Sequence, residues 1–272
     1  MTPAFTDRIT LIPGFNPGPY TGDGNNTYLL RGAEPTLIDA GVGHARHIDA
    51  LGAALEADDT ELARVVVTHG HTDHASGAEA IAQRWPRAEF LKMPWPDRDP
   101  RYRVDWLALR DGVQVRAGDA VLRAIHTPGH APDHLCFFHE ESRTLLCGDL
   151  VIKGGTVVVP GSGQGSLRAY LASLQRVLEV RPATLLPAHG PEIGDPTPLI
   201  QHYLDHRRRR EEQIVAALGD GCRTPEAIAD LIYQGLAADL RGAAVESVLA
   251  HLGKLREDRR AVEAPNSEWE LA

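Results

Sequence analysis

The feature that most constrains this chain is the run His69-Gly70-His71-Thr72-Asp73-His74, which places three imidazoles and a carboxylate within six consecutive positions. It directly follows the valine-rich residues 64–67, which predict a buried strand that ends at the first histidine. Neutral imidazole nitrogens and carboxylate oxygens are ligands that zinc and similar divalent ions accept. A loop at the end of a rigid strand can hold such groups in a fixed geometry. The sequence therefore predicts a divalent-metal site at this strand end.

Three further segments each combine an apolar run, a turn and a residue type that ligates metals. They are residues 124–130, which end at His130, residues 144–149, which end at Asp149, and residues 184–189, which end at His189. Ligands at the ends of separate strands can converge at the edge of a sheet or sandwich. Together with the histidine run, these segments offer enough ligands for a second ion.

The order of these motifs resembles that of the metallo-β-lactamase-fold hydrolase superfamily. The motifs are His-x-His-x-Asp-His, then Thr-Pro-Gly-His, then Gly-Asp, then a late Ala-His-Gly. The resemblance implies seven metal ligands in two groups. The first ion would be bound by His69, His71 and His130, the second by Asp73, His74 and His189, and Asp149 would bridge them.

The resemblance covers nearly the whole chain and implies its fold. Residues 25–30 and 36–41 resemble the opening strands of the superfamily. Residues 203–213 and the helical tail that follows are similar to the β-lactamase-like protein 2 subgroup, which includes single-strand RNA endonucleases. The implied fold class is α/β (α+β), a four-layer αββα metallo-β-lactamase sandwich. We expect this catalytic domain over residues 1–196 and a small winged-helix-like domain over residues 197–272.

The sequence of the C-terminal region predicts mainly helices. Helices are predicted over residues 197–218, from Thr224 and over 243–257, followed by a hairpin whose turn is Ala264-Pro265-Asn266. Acidic residues are interspersed with the basic ones, which favours packing or dimerisation over DNA binding. The arginine run at 207–210 is interpreted as the solvated face of a helix, with contacts to a substrate anion as the alternative.

Other residues near the ligand motifs are predicted to contact substrate. Asn25 lies in a loop that resembles the entrance loop of the superfamily, His134 follows the Thr-Pro-Gly-His motif closely, and Lys153 follows Asp149. Simple packing is the alternative for His134. Residues 157–159, a run of three valines, predict one more strand.

Composition limits the range of partners and locations. The formal net charge is −9 over 272 residues, which gives no general basic footprint for nucleic acid. No apolar stretch approaches the ~20 residues that cross a bilayer, so no membrane partner is expected. Residues 1–7 lack a basic segment followed by an apolar one, and the three cysteines are widely spaced. These features predict a cytoplasmic protein and disfavour a secreted antibiotic-degrading enzyme.

Together, these observations leave three functional hypotheses. The favoured one is a hydrolase with two divalent ions, zinc by preference, in which a metal-bridging hydroxide attacks an ester or thioester of a small acyl substrate. Asp73 is the predicted catalytic residue, as a metal ligand that also steers the proton of the nucleophile. The alternatives are a metal-dependent endoribonuclease that acts on single-stranded RNA and a non-catalytic binding protein. A homodimer is a further open alternative.

Overall fold

The computed structural model describes residues 5–265 and 267–272 of the chain. Two parts of the chain lie outside the described residues. They are residues 1–4, which belong to the segment considered for a secretion signal, and Asn266 of the predicted hairpin turn. The chain divides into two compact units. The first comprises residues 5–127, 133–155 and 180–196, and the second comprises 128–132, 156–179 and the described part of 197–272. The predicted domain boundary after residue 196 stays a prediction.

The first unit contains a mixed sheet with the strand order β1-β2-β3-β4-β5-β6. These strands are β1 (Ile9–Pro13), β2 (Asn26–Leu30), β3 (Thr36–Ile38), β4 (Arg64–Val66), β5 (Glu89–Lys92) and β6 (Trp106–Ala108). The pairs β1–β2 and β2–β3 are antiparallel, whereas β3, β4, β5 and β6 run parallel to one another. The carboxyl ends of β3 and β4 therefore lie side by side, which brings the loops after Ile38 and Val66 together.

The second sheet of this unit has the strand order β12-β11-β10-β9-β8-β7. Its strands are β7 (Gln114–Ala117), β8 (Ala120–His126), β9 (Leu135–His139), β10 (Thr144–Gly148), β11 (Thr184–Pro187) and β12 (Ile193–Gly194). Only β10 and β11 are parallel neighbours. Asp149 and the Ala188-His189 pair therefore follow adjacent strands that end at the same edge.

Successive side chains of a strand point to opposite faces of the sheet, which explains how the first sheet is buried on both faces. Leu29 and Leu37 belong to a core cluster with residues of helices α1 (Ala45–Glu56) and α3 (Ala78–Arg84). Their neighbours, such as Leu30 and Ile38, belong to a cluster shared with apolar residues of the second sheet. The two sheets thus form a sandwich, and a single-turn helix, α2 (Thr72–Ala75), follows the end of β4.

The second unit is mainly helical and has a core of its own. Its helices are α4 (Leu167–Val180), α5 (Thr197–Gly219), α6 (Pro225–Ile232) and α7 (Arg241–Glu257), and all of α4 except its last residue belongs to this unit. An antiparallel hairpin of β13 (Ala261–Glu263) and β14 (Trp269–Leu271) completes the unit. Thr224 caps α6 by accepting a hydrogen bond from Ala227 N–H through its hydroxyl. In the described part of the chain, no helix is long and apolar enough to cross a membrane.

Two details differ from the sequence-based expectation. Residues 157–159 form no strand. The carbonyl groups of Val157 and Val158 instead accept hydrogen bonds from the side chains of Arg207 and His130. The arginine run of α5 is not uniformly solvated either, since Arg207 is only 3% exposed. Consecutive helical residues point about 100° apart, so a run of four must face several directions.

Gly77 allows the chain that follows helix α2 to pass close to the end of β3. An ideal Cβ on Gly77 would lie 1.9 Å from the Ala40 carbonyl oxygen, which is a severe backbone clash. We expect Gly77→Ala to lower the free energy of unfolding by about 2–3 kcal/mol, measured by chemical denaturation.

Gly194→Ala is the matched control, because a Cβ there meets nothing within 4 Å. Its free energy of unfolding should change by less than about 0.5 kcal/mol. Equal stabilities of the two variants would contradict the proposed close approach at Gly77.

Candidate metal centre

The candidate metal centre begins with a buried carboxylate at the end of β3. Asp39 has a φ of +63°, and its Oδ1 accepts the backbone N–H of Thr68 at 2.7 Å. This bond joins the loops that follow the two parallel strands β3 and β4. It fixes the start of the histidine run relative to the sheet.

The same carboxylate orients His74. Oδ2 of Asp39 lies 2.9 Å from Nδ1 of this fully buried imidazole. A hydrogen bond donated by Nδ1–H leaves the lone pair of Nε2 available as a metal ligand. Nε2 lies 3.4 Å from Oδ2 of Asp73 and 3.5 Å from Oδ1 of Asp149.

His189 completes this cluster from the end of β11. Its Nε2 lies 3.3 Å from Oδ1 of Asp149 and 3.5 Å from Oδ2 of Asp73. The ligand atoms of Asp73, His74 and His189 all lie within 4.8 Å of one another, as do those of His69, His74 and Asp149. Three segments of the first unit therefore bring imidazole nitrogens and carboxylate oxygens to one place.

The electrostatics of the cluster favour positive charge. Burial alone would lower the pKa of His189, but the charge of Asp149 raises it to about 9. Burial also acts against a charged His74, yet Asp73, Asp149 and Asp39 together raise its pKa well above the usual value. The reverse holds for Asp149, where His74 and His189 outweigh burial and lower the pKa. Because these carboxylates favour cationic neighbours, the donor set fits a divalent cation.

His69 belongs to this cluster, and His71 lies beside it. Nε2 of His69 is 3.0 Å from Nδ1 of His71, and Nδ1 of His69 is 3.0 Å from Oγ1 of Thr68. Gly70, between them, is held from both sides, since Asp133 accepts its N–H at 2.8 Å and Tyr102 donates to its carbonyl at 2.8 Å. The loop geometry is thus determined by partners outside the motif.

His130, the remaining predicted ligand, belongs to the second unit. There its Nδ1 lies 2.7 Å from the carbonyl oxygen of Val158. This contact assigns the proton to Nδ1 and gives Nε2 the lone pair that a metal ligand needs. Its assignment to the first ion stays a prediction.

Two of the three predicted substrate contacts support metal-site residues in this structure. Asn25 is buried, and its side-chain amide donates to Asp73 at 3.2 Å. Fully buried His134 accepts the backbone N–H of Asp149 at 3.0 Å and contacts the Thr127 hydroxyl at 2.8 Å. Lys153, by contrast, is exposed. Substrate contact at these residues stays a prediction.

Three residues that support the motif were not predicted from the sequence. Asp39 and Asp133 were not singled out, and neither was Lys92, whose fully buried Nζ lies 3.1 Å from Oδ2 of Asp133. Asp39 had one detectable signal, since an aspartate follows an apolar strand just as Asp149 does. Lys92 follows Phe90-Leu91 in β5, a strand that we did not predict.

Family models match two parts of the chain. The metallo-beta-lactamase superfamily model matches residues 20–189, which is more than half of the chain. The model of the beta-lactamase associated winged helix domain matches residues 224–269. The second match agrees with the helices and terminal hairpin of the second unit, and it confirms the predicted winged helix.

Two curated relatives and one solved structure extend the similarity to nearly the full chain. A beta-lactamase-like protein 2 homolog of Caenorhabditis elegans is 32% identical over 267 residues, which cover 97% of this chain and 88% of the relative. An atrochrysone carboxyl ACP thioesterase of Aspergillus chevalieri is 32% identical over 266 residues, 94% of this chain and 83% of the relative.

The solved structure is a metallo-beta-lactamase family protein from Thermus thermophilus, with a TM-score of 0.84 and 23% identity. The match covers 99% of this chain and 100% of that one, and it supports the fold alone. The chain belongs to the metallo-beta-lactamase superfamily, which confirms the family, the fold class and the hydrolase class predicted from its sequence.

Proposed function

We propose that this protein is a dinuclear metal-dependent hydrolase. His69, His71 and His130 would bind the first ion, Asp73, His74 and His189 would bind the second, and Asp149 would bridge the two. The observation that carries the proposal is the contact of two buried imidazoles, His74 and His189, with the same oxygen of Asp149. Zinc is the proposed ion, because imidazole ligands outnumber carboxylates.

Bound divalent cations would supply a hydroxide near neutral pH and polarise the scissile carbonyl group. The chain's own residues provide the positions for that chemistry. Asp39 holds His74 in one tautomer, and Asn25 donates a hydrogen bond to Asp73. Asp73 is the proposed catalytic residue, since its carboxylate reaches both His74 and His189 and can orient the proton of the nucleophile.

An acyl ester or thioester is the proposed substrate class. One relative is named an atrochrysone carboxyl ACP thioesterase, and the net charge of −9 disfavours a polyanionic substrate. A cytoplasmic location is also proposed, because the three cysteines are widely spaced and do not form the pattern of a disulfide framework. The homodimer stays a prediction.

Removal of the proposed bridging carboxylate tests the metal centre directly. We expect Asp149→Asn to bind fewer than two zinc ions per chain under conditions in which the wild type binds two. Hydrolysis should fall by more than about 100-fold, the upper range for residues that merely support metal ligands. Metal content is measured by mass spectrometry after gel filtration, and activity with an acyl thioester.

Asp220→Asn is the control, because Asp220 is an exposed carboxylate in the second unit. It should keep the wild-type metal content and rate. Wild-type metal binding by Asp149→Asn would contradict the proposed bridging role.

Parallel assays decide the substrate class. The zinc-loaded wild type is expected to hydrolyse an acyl thioester and to leave single-stranded RNA intact, and Asp73→Ala should abolish the thioester reaction. RNA cleavage by the wild type that disappears in Asp73→Ala would establish the endoribonuclease alternative instead.

A function that persists without metal in His71→Ala would favour the non-catalytic binding protein.

A further inference from the structure

The loop that carries His130 makes several close contacts with other parts of the second unit. Ser173 donates its hydroxyl to the Pro128 carbonyl at 2.8 Å, and the Gly129 carbonyl accepts Ser166 N–H at 2.8 Å. Gly129 has a φ of +138°, and a Cβ there would lie 2.4 Å from the backbone of Tyr170 in α4. The loop therefore follows α4 closely, which explains why residues 128–132 belong to this unit.

The imidazole of His130 is oriented by a segment outside both sheets. Its Nδ1–H donates to the carbonyl of Val158 at 2.7 Å. The neighbouring carbonyl, that of Val157, accepts a hydrogen bond from Nη2 of Arg207 in α5. Without a sheet partner, this valine segment depends on side-chain contacts for its position.

Arg207 is itself fixed from several sides. It is 3% exposed, and its guanidinium carbon lies 5.6 Å from the centre of the Tyr170 ring. Nη1 lies 3.5 Å from the Ser247 hydroxyl in α7. His251 spans the same two helices, with Nδ1 2.7 Å from the Ser247 carbonyl and Nε2 3.2 Å from the Arg207 carbonyl. A buried guanidinium is costly unless it is hydrogen-bonded, so the Val157 carbonyl and the Ser247 hydroxyl are the contacts that hold the Arg207 side chain.

We infer that Arg207 is a positioning residue for the metal ligand His130. It fixes the Val157-Val158 segment, and the Val158 carbonyl in turn fixes the tautomer and ring orientation of His130. This inference rests on the proposed function, in which His130 binds the first ion. It gives helix α5 of the C-terminal region a role in orienting this ligand.

Metal affinity in the full-length protein tests this role without relying on activity. We expect Arg207→Met to fold and to bind two zinc ions at saturation. The dissociation constant of one ion should rise about 10- to 100-fold, as for other residues that orient metal ligands. Competition with a chromophoric chelator measures both constants. Arg208→Met is the matched control, because the Arg208 side chain is 69% exposed and pairs with Asp205.

The His130→Ala background separates positioning from general destabilisation. His130→Ala alone should raise the dissociation constant of one zinc ion. Adding Arg207→Met to it should raise that constant no further, because Arg207 acts through His130. An equal loss of affinity in both backgrounds would overturn the inference, and so would a wild-type constant for Arg207→Met. If His130→Ala itself bound both ions as the wild type does, the ligand set of the proposed function would fail instead.

A second variant covers the case in which Arg207→Met does not fold. Arg207→Lys keeps the charge but loses the planar group that reaches Val157 and lies over the Tyr170 ring. A raised dissociation constant for one ion, seen only while His130 is present, would support the inference. A wild-type constant for both ions in a folded Arg207→Lys protein would overturn it.

Discussion

The contact between Asp39 and His74 is the interaction on which the rest of the candidate site depends. It is a buried hydrogen bond of 2.9 Å between a strand-end carboxylate and an imidazole. The other oxygen of the same carboxylate anchors the Thr68 backbone. One aspartate therefore determines both where the histidine run starts and which nitrogen of His74 faces Asp73 and Asp149.

Strand topology extends this constraint to the remaining ligands. Because β3 and β4 are parallel neighbours, Asp39 and the histidine run leave the first sheet at the same edge. The parallel pair β10 and β11 does the same for Asp149 and His189 in the second sheet. A core shared by the two sheets holds the edges in register. Widely separated residues thus meet because each follows a buried strand.

Local patterns were predictable where one segment contains the whole signal. His69, His71, Asp73 and His74 lie within one run, and the motifs around Asp149 and His189 each follow an apolar strand. Residues whose partners are distant in sequence were missed. Lys92 acquires its role through Asp133, 41 positions later (133 − 92), and nothing in the sequence around Lys92 indicates that pairing. The valines at 157–159 misled prediction because β-branched residues favour extended backbone, whereas sheet membership depends on the neighbouring chain.

The second unit shows why a fold name does not assign a role. Winged helices bind nucleic acid in many proteins, yet Arg207, inside the most basic run of this unit, is buried and hydrogen-bonded to the Val157 carbonyl. Neighbouring Arg208 is exposed and pairs with an aspartate. The Arg207 side chain therefore stabilises the interior of its own unit, and the charge of the Arg208 side chain is partly neutralised by Asp205. Arg207 is therefore placed to orient the Val157-Val158 segment, and is not available to a phosphate-binding face.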